Sequence, residues 1–246
     1  MKISIGIERG DNKQFCDDTA LVGESIINDK EIFFDGILPS YICIADGVGG
    51  NAGGKDASVF IMQKILTTTP ENIEKDNLFK YFQNLNQALV EYGNNISGKS
   101  MMATTFTGVF FWDDKVHLVH VGNTRLYSMQ GSYLKQLTED HTTYQWLLNS
   151  GQYESAKQCN RNEITGCFGG GNTKFANSMV VKEIFDGGIP NVFVLTSDGI
   201  HEYIDIDLME QILSSGISDK EQIHCILEEA NKNGSRDDKT IVIVRR

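Results

Sequence analysis

The sequence predicts an antiparallel-rich α+β layer fold. Short runs rich in β-branched and aromatic residues recur along the whole chain, as strands do. Helical patterns come in two pairs on either side of a strand-rich middle, so strand and helix do not alternate as in a doubly wound fold. A chain of 246 residues can bury one sizeable core. We therefore expect a single domain over residues 1–246.

The strands and helices follow from these patterns in chain order. Nine segments are predicted as strands: 3–7, 19–22, 41–45, 104–111, 115–121, 125–129, 178–185, 191–196 and 240–244. Four segments are predicted as helices: 55–66, 74–92, 207–213 and 219–231. In the second helix, Leu78, Phe82 and Leu89 share one face. Residues 150–177 are polar and glycine-rich without a period, which predicts a flap or long loop.

Composition restricts the function. The chain has 22 basic and 33 acidic side chains and a formal charge of −11, so we expect it to repel nucleic acid. Its five cysteines are odd in number and lack the spacing of a zinc site, which predicts reduced thiols. No signal-peptide core or membrane-length apolar run occurs. We expect a soluble cytoplasmic monomer that binds neither nucleic acid nor membrane.

Acidic residues stand at the ends of four predicted strands. They are Asp17 and Asp18, Asp46, Asp198, and Asp237 and Asp238. Any one of them could be an ordinary turn residue. Together at one edge of a sheet, however, carboxylates repel each other unless a cation lies among them. Oxygen ligands without histidine or cysteine favour Mg²⁺ or Mn²⁺, and several carboxylates around two ions are typical of hydrolytic sites.

The glycine-rich stretch GGNAGGK, residues 49–55, offers a nucleotide-binding alternative. It satisfies the GxxxxGK part of a P-loop, and VFVLTSD could be a Walker B strand. The next residue, however, is Asp56, where a P-loop has a Ser or Thr that binds Mg²⁺. Asp46 and Gly47 also separate the strand from the loop. A P-loop NTPase is therefore the weakest of the hypotheses.

Six ordered segments resemble the metal-dependent serine/threonine phosphatases of the PPM, or type 2C, family. ADGVGGNAGGKDAS is similar to the family's DGxGG segment, and KQFCDDTAL is similar to RxxNEDA. HVGNTRLYSMQGSYLKQLTEDHT resembles VGDSR followed by LTxDHS, and LLNSGQ with NRNEITGCFG resembles the flap region. VFVLTSDGI and SRDDKTIVIV resemble SDGL and DNxT. The resemblance implies a four-layer αββα sandwich, in which helix pairs flank two antiparallel sheets.

The resemblance also implies a site and a mechanism. It assigns metal-ligand roles to Asp17, Asp46, the Gly47 carbonyl, Asp198 and Asp237, with Asp18 as a further partner. A water bridging two Mn²⁺ or Mg²⁺ ions would attack phosphoserine or phosphothreonine on a protein, without a phosphoenzyme. Val48 stands where eukaryotic relatives often have histidine, which indicates a bacterial-type member. We expect such a phosphatase to oppose a bacterial serine/threonine kinase.

Lys13 stands where the family commonly has a phosphate-binding arginine. A lysine binds phosphate as a point charge rather than as a fork. Arg9, four residues earlier, could substitute if the loop folds back, and Lys13 could instead be an ordinary solvated charge. The catalytic set implied by the resemblance is Asp46, Asp198 and Lys13.

Four further positions have roles that the motifs leave open. Asn123 replaces the acid that the resembling enzymes use for a third metal, so a third metal is doubtful. Asp238 replaces an asparagine and adds charge beside Asp237, or takes over its ligand role. His141 and His201 are candidate general acids by their place in the motifs, although a structural role is favoured for both. Lys13 and Asn123 together keep open a second hypothesis, a catalytically silent phosphoprotein-binding module of the same fold.

Overall fold

The computed structural model describes residues 1–48, 53–68, 78–112, 115–185 and 188–246. In chain order its strands are β1 (Lys2–Glu8), β2 (Thr19–Val22), β3 (Ser25–Ile27), β4 (Glu31–Asp35), β5 (Tyr41–Ala45), β6 (Gly47–Val48), β7 (Ala103–Thr104), β8 (Phe106–Trp112), β9 (Lys115–Val121), β10 (Arg125–Gln130), β11 (Tyr133–Gln136), β12 (Phe168–Gly169), β13 (Val180–Ile184), β14 (Val192–Thr196) and β15 (Lys239–Arg245). Its α-helices are α1 (Gly54–Thr67), α2 (Leu78–Asn94), α3 (Thr143–Asn149), α4 (Tyr153–Gln158), α5 (Asp198–His201), α6 (Ile206–Ser214) and α7 (Asp219–Lys232).

Two six-stranded sheets form the centre of the molecule. Sheet A has the order β11-β10-β14-β15-β1-β4, and sheet B has the order β13-β9-β8-β5-β2-β3. All neighbouring strands in both sheets are antiparallel. A small third sheet, β12-β7-β6, lies beside the end of β5. The predicted antiparallel α+β class is confirmed.

The sheets stack face to face because their strands are apolar on both sides. In β15, Val242 and Val244 pack between the sheets, whereas Ile241 and Ile243 pack against the helices on the outer face of sheet A. Alternating side chains point to opposite faces of a strand, so a continuously apolar strand is one that is covered twice. The intersheet core takes side chains from both sheets, including Ile5 of β1.

The helices form the outer two layers. Helices α1 and α2 pack on sheet B through an apolar cluster that includes Ile61 and Phe82. Helices α5, α6 and α7 pack on sheet A, and α7 begins with a capping box in which Ser218 and Glu221 bond each other's backbone N–H groups. The predicted four-layer sandwich is therefore confirmed. None of the helices in the described ranges is long and apolar enough to cross a membrane.

Several short elements differ from the prediction. Strands β4 and β11 lie at the edges of sheet A and carry exposed charged or polar residues, which hides their period. The segment 150–177 contains α4, β12 and most of a 3-10 helix (Thr173–Ser178) rather than only loop. Helix α4 buries just Ala156, so no helical period was visible. Of the predicted helix 74–92, residues 74–77 lie outside the described ranges, as do residues 49–52 of the glycine stretch.

Candidate active site

Strand pairing gathers the predicted aspartates at one end of both sheets. In sheet B, Thr19 at the start of β2 pairs with Ala45 at the end of β5, so the acids flanking these two residues are adjacent. In sheet A, Thr196 at the end of β14 pairs with Ile241 near the start of β15. This pairing brings Asp198, which follows β14, close to Asp238, which precedes β15. An antiparallel neighbour begins where its partner ends, which explains why acids on either side of four strands converge.

Asp46 and Asp198 form the centre of the cluster. The pKa of each carboxyl group depends on the other, although the two acids follow strands of different sheets. Burial raises the pKa of Asp46 well above its usual range, and the charges of Asp18, Asp198 and Asp237 raise it further. Burial and the charge of Asp237 likewise raise the pKa of Asp198. The two acids therefore resist simultaneous ionisation unless a cation joins them.

Neutral groups hold this pair in place. The Asn123 amide Nδ2 donates to Asp198 Oδ2 at 2.9 Å, while Asp198 Oδ1 is buried and has no hydrogen-bond partner within the described ranges. The backbone carbonyl of Asp46 accepts from Thr104 Oγ1 and from Thr105 N, each at 2.9 Å. These contacts fix the chain around the acids without neutralising their charge.

Gly47 is required by a close backbone approach. A Cβ atom at Gly47 would lie 2.3 Å from the carbonyl carbon of Gly54, at the first turn of α1. The Gly47 N–H donates to the Asp17 carbonyl at 3.2 Å, which ties β6 to the segment before β2. Val48 follows Gly47 in β6 and pairs with Ala103. A side chain at Gly47 would push α1 away from the cluster.

Asp18 bonds the two sheets to each other. Its Oδ2 accepts from Ser197 Oγ and from Thr240 Oγ1, both at 2.7 Å, and both donors belong to the sheet A side. Its Oδ1 is buried without a partner among the described residues. Burial, together with the charge of Asp238, raises the pKa of Asp18 to about 7. Ser197 and Thr240 were not predicted from the sequence, although both stand beside strand-end acids.

Asp238 positions the loop that follows β1. Its Oδ1 accepts from Gly10 N at 2.7 Å, and its Oδ2 accepts from Asp17 N at 2.6 Å and from Lys13 Nζ at 2.9 Å. Asp238 is 2% exposed, whereas the Asp237 side chain is 49% exposed. Both oxygens of Asp238 are therefore engaged by protein donors, and Asp237 is the more accessible of the two neighbouring acids.

Lys13 lies among three carboxylates. Its Nζ is 2.6 Å from Asp237 Oδ1, 2.9 Å from Asp238 Oδ2 and 3.5 Å from Asp17 Oδ2. Burial alone would lower the pKa of Lys13, but hydrogen bonds to Asp237 and Asp238 outweigh it, so the pKa is raised and the ammonium stays charged. Arg9 is exposed and donates to the Gln14 carbonyl at 3.0 Å, so it braces the loop.

Asp17 also receives a bond from the start of α1. Its Oδ1 accepts from Lys55 N at 3.0 Å, and its carbonyl accepts from Ser58 Oγ at 2.7 Å. A carboxylate at a helix N-terminus satisfies a free N–H group and complements the helix dipole. Burial raises the pKa of Asp17, and Lys13 and the Lys55 N–H oppose that effect.

Known proteins share this chain's sequence and fold. No model of a protein family matches the chain. It is 29% identical over 217 residues to the serine/threonine phosphatase stp of Listeria monocytogenes, which covers 83% of this chain and 84% of the relative. It is 27% identical over 253 residues to a putative type 2C protein phosphatase of Streptococcus pyogenes, covering 99% and 95%. The chain is similar in sequence to these bacterial serine/threonine phosphatases. The resemblance stated from the sequence motifs is confirmed.

Solved structures of PPM phosphatases confirm the fold. A serine/threonine phosphatase of Staphylococcus aureus superposes with a TM-score of 0.80 at 18% identity, covering 99% of this chain and 94% of the other. The PPM phosphatase of Mycobacterium smegmatis, in complex with cacodylate, superposes with a TM-score of 0.76 at 19% identity, covering 99% and 97%. The four-layer architecture is therefore shared over nearly the whole chain.

Both candidate histidines brace the fold. His141 Nδ1 accepts from Gly122 N at 3.1 Å, and the His141 backbone N–H donates to the Gly122 carbonyl at 2.8 Å. His201 Nδ1 bonds Thr196 Oγ1 at 2.8 Å, and its buried Nε2 has no partner in the described part of the chain. Burial lowers the pKa of both rings, so both are neutral at physiological pH. These contacts are structural ones.

A second acidic group lies near the aspartate cluster but is neutralised internally. Asp140, His201 and Glu202 each bring a potential ligand atom within 4.8 Å of the others. However, Arg125 Nη2 lies 2.6 Å from Asp140 Oδ2 and 3.3 Å from Glu202 Oε1, and Arg125 Nε also donates to Asp140. A guanidinium already balances these two carboxylates. This group therefore fits an internal ion pair better than a metal.

The Asp46 and Asp198 cluster does fit a hard divalent cation. Every candidate ligand is an oxygen, which is the donor that Mg²⁺ and Mn²⁺ prefer. The buried oxygens Asp18 Oδ1, Asn123 Oδ1 and Asp198 Oδ1 have no partner among the described residues. A cation among these groups would satisfy free acceptors and remove the repulsion that raises the carboxyl pKa values.

Proposed function

We propose that this protein is a divalent-metal-dependent phosphatase that hydrolyses phosphoserine and phosphothreonine on proteins. The observation that carries the proposal is that strand-end acids of both sheets converge, with the buried oxygens Asp18 Oδ1 and Asp198 Oδ1 lacking a partner among the described residues. The named activity of the sequence relatives supports the same chemistry.

We assign the predicted acids to two ions, Mn²⁺ or Mg²⁺. Asp46, Asp198, Asp237 and the Gly47 carbonyl would hold the ions, and Asp17 would assist in holding them. Ions bound there would supply a nucleophile by lowering the pKa of a water and would offset charge on the phosphoryl oxygens. Phosphoenzyme formation is not required.

Side chains of this protein prepare the site. The Asn123 amide orients Asp198, and Asp238 holds the loop that carries Lys13. Lys13 would bind a phosphoryl oxygen as a point charge, at the edge of the same carboxylates. Because Asn123 supplies no negative charge, we propose two ions rather than three.

The physiological setting is part of the proposal. We propose that the chain acts as one domain and one monomer in the cytoplasm, on phosphoproteins made by a bacterial serine/threonine kinase. The segment 150–177 would contribute to substrate selection, since loops and short elements over a fixed site commonly do so.

A catalytically silent phosphoprotein-binding module is the second candidate. One observation favours it: Lys13 bonds Asp237, so the cation meant for phosphate already occupies a proposed metal ligand. In such a module Lys13 would stay on the carboxylates and phosphopeptide binding would not need a divalent metal.

The deciding experiment measures hydrolysis of p-nitrophenyl phosphate and of a phosphothreonine peptide with Mn²⁺, with Mg²⁺ and with excess EDTA. We expect turnover that needs the metal and that falls by about 1000-fold or more in Asp46→Asn and Asp198→Asn, because each removes a ligand at the reacting centre.

The matched control is Asp35→Asn. Asp35 ends β4 and pairs with Lys2, at the end of sheet A opposite to the cluster. This variant should keep its turnover. Folded, metal-saturated wild-type protein without turnover, but with phosphopeptide binding that persists in EDTA, would support the silent module instead.

A further inference from the structure

A cleft of about 650 Å³ opens beside the proposed metal site. One wall is the loop after β1, with Lys13 and Phe15, and the other is the start of α1, with Lys55. Asp17 lines the cleft and also bonds Lys55 N, so the cleft adjoins the carboxylate cluster directly.

The lysines of the cleft outnumber its two aspartates, Asp17 and Asp56, although the chain as a whole is acidic. Three lysines line the cleft, Lys13, Lys55 and Lys99, on a protein with a formal charge of −11. Two of them are compensated locally: Lys13 by its carboxylates and Lys99 by an ion pair with Asp56. The Lys55 ammonium instead lies 4.6 Å from the ring centroid of Phe15, and no ion pair joins it to the described carboxylates.

Phe15 gives the cleft an apolar contact surface. Its side chain is 54% exposed although it lies at the mouth of a polar cleft. The ring face carries the Lys55 ammonium, an arrangement that holds both groups at one place on the wall. An aromatic ring beside a cation is a surface that can contact the stem of an acidic side chain while the cation contacts its head.

We propose that this cleft binds an anionic side chain that flanks the phosphorylated residue of the substrate, so that the protein prefers acidic phosphopeptides. The proposal rests on the proposed phosphatase function. An extended peptide advances about 3.3–3.6 Å per residue, so a side chain two or three positions from the phosphoresidue would reach from the carboxylate cluster into the cleft. Lys55 would attract that side chain and repel a basic one.

The test compares three phosphothreonine peptides of equal length that carry flanking glutamates, a flanking phosphothreonine or flanking lysines. We expect kcat/KM for the glutamate peptide to exceed that for the lysine peptide by about threefold to tenfold, the range of a few exposed charge pairs. The doubly phosphorylated peptide separates carboxylate recognition from phosphate recognition. The preference should weaken as salt is added.

The variants Lys55→Gln and Lys55→Glu assign the preference to the cleft. The ratio of kcat/KM values between the glutamate and lysine peptides should fall towards one in Lys55→Gln and invert in Lys55→Glu. The control is Lys80→Glu, the same charge change at an exposed lysine of α2 that does not line the cleft. It should leave the ratio unchanged.

Because each variant is judged by a ratio, a general loss of activity does not imitate the expected result. The same peptides, fluorescently labelled, are also titrated into Asp46→Asn protein, so the preference is read from binding even if hydrolysis fails. A wild-type ratio near one in both assays, or a ratio that Lys55→Glu leaves unchanged, would overturn the cleft assignment. Absent turnover with an intact binding preference would overturn only the phosphatase function.

Discussion

Two groups of acids at the same end of the sheets are balanced in opposite ways. Asp140 and Glu202 share the guanidinium of Arg125, which bonds Asp140 through two nitrogens. Asp46 and Asp198 lie close together, and the side-chain hydrogen bond that Asp198 accepts within the described residues comes from the neutral Asn123 amide. The first group contains its own cation, whereas in the second burial and the charges of neighbouring acids raise the pKa of Asp46 despite the opposing charge of Lys13.

This difference distinguishes a structural charge cluster from a ligand site. A buried ion pair with good geometry is satisfied at every concentration of metal. An unbalanced pair of buried acids is destabilising until a cation arrives, and the released repulsion then contributes to binding. The same residue types therefore have different functions, set by whether an arginine reaches them.

The largest expected effect comes from breaking the balanced group. Arg125→Met leaves Asp140 and Glu202 without their cation, and we expect the free energy of unfolding to fall by about 3–5 kcal/mol, as for other buried pairs that lose one partner. Chemical denaturation in urea measures this. The control is Lys157→Met, which breaks the exposed pair with Glu154 and should change stability by less than about 1 kcal/mol. An equal decrease in the free energy of unfolding in the two variants would show that the Arg125 ion pairs stabilise the fold no more than an exposed pair does.

Acidification tests a neighbour of the balanced group. His120 is buried between Thr107 Oγ1 and the Glu139 carbonyl, each at 2.9 Å, and burial with the nearby His141 lowers its pKa from 6.5 to about 3. The folded state therefore binds fewer protons than the unfolded state between these values. The neutral His120 ring therefore makes its full contribution to the free energy of unfolding above pH 6.5. That contribution is lost as the pH falls towards 3.

On acidification the free energy of unfolding should fall less steeply in His120→Gln than in the wild type, by up to about 1.4 kcal/mol per pH unit. This difference in slope holds even if the variant is less stable at neutral pH. Unfolding free energies measured between pH 7 and pH 4.5 give the slopes. Parallel slopes for His120→Gln and wild type would contradict the burial of a neutral ring.

Neutralising the unbalanced group should stabilise the metal-free protein. Asp198→Asn removes one of two repelling charges and keeps an acceptor for Asn123, so we expect its melting temperature in EDTA to rise by about 2–4 °C, equivalent to about 1 kcal/mol. Added Mn²⁺ should then stabilise the variant much less than the wild type. Asp35→Asn should shift neither value. A lower melting temperature for Asp198→Asn in EDTA would show that the pair is not strained.

The smallest effect should come from adding an acid to the unbalanced group. Asn123→Asp replaces a donor to Asp198 with a like charge, so we expect the melting temperature in EDTA to fall by about 1–3 °C. The increase on adding Mn²⁺ should exceed that of the wild type. Thermal shift with and without metal measures both, and Asn162→Asp, at an exposed loop position, should behave as wild type. An unchanged response to Mn²⁺ would argue against any metal contact near Asn123.

The sequence predicted most of what places the site. Buried strands such as β5 and β15 are continuously apolar, and antiparallel pairing then brings the acids at their ends together. The role of each acid could not be predicted, because it depends on hydrogen-bond donors that are distant in the chain. Asp18 is 179 positions from Ser197 and 222 from Thr240, and Asp238 is 228 from Gly10. Short edge strands and one-turn helices were missed because each buries too few residues to show a period.

The hydrogen bonds of Asp18 and Asp238 have a mechanical consequence. Apolar packing between two sheets is non-directional and permits small sliding movements, whereas hydrogen bonds fix both distance and angle. Asp18 bonds across from sheet B to Ser197 and Thr240, and Asp238 bonds back from sheet A to Asp17 N. These hydrogen bonds therefore fix the position of the two sheets relative to each other at one end. Sliding of one sheet over the other should be smallest near Asp46 and Asp198. It should be larger at the opposite end of the sheets.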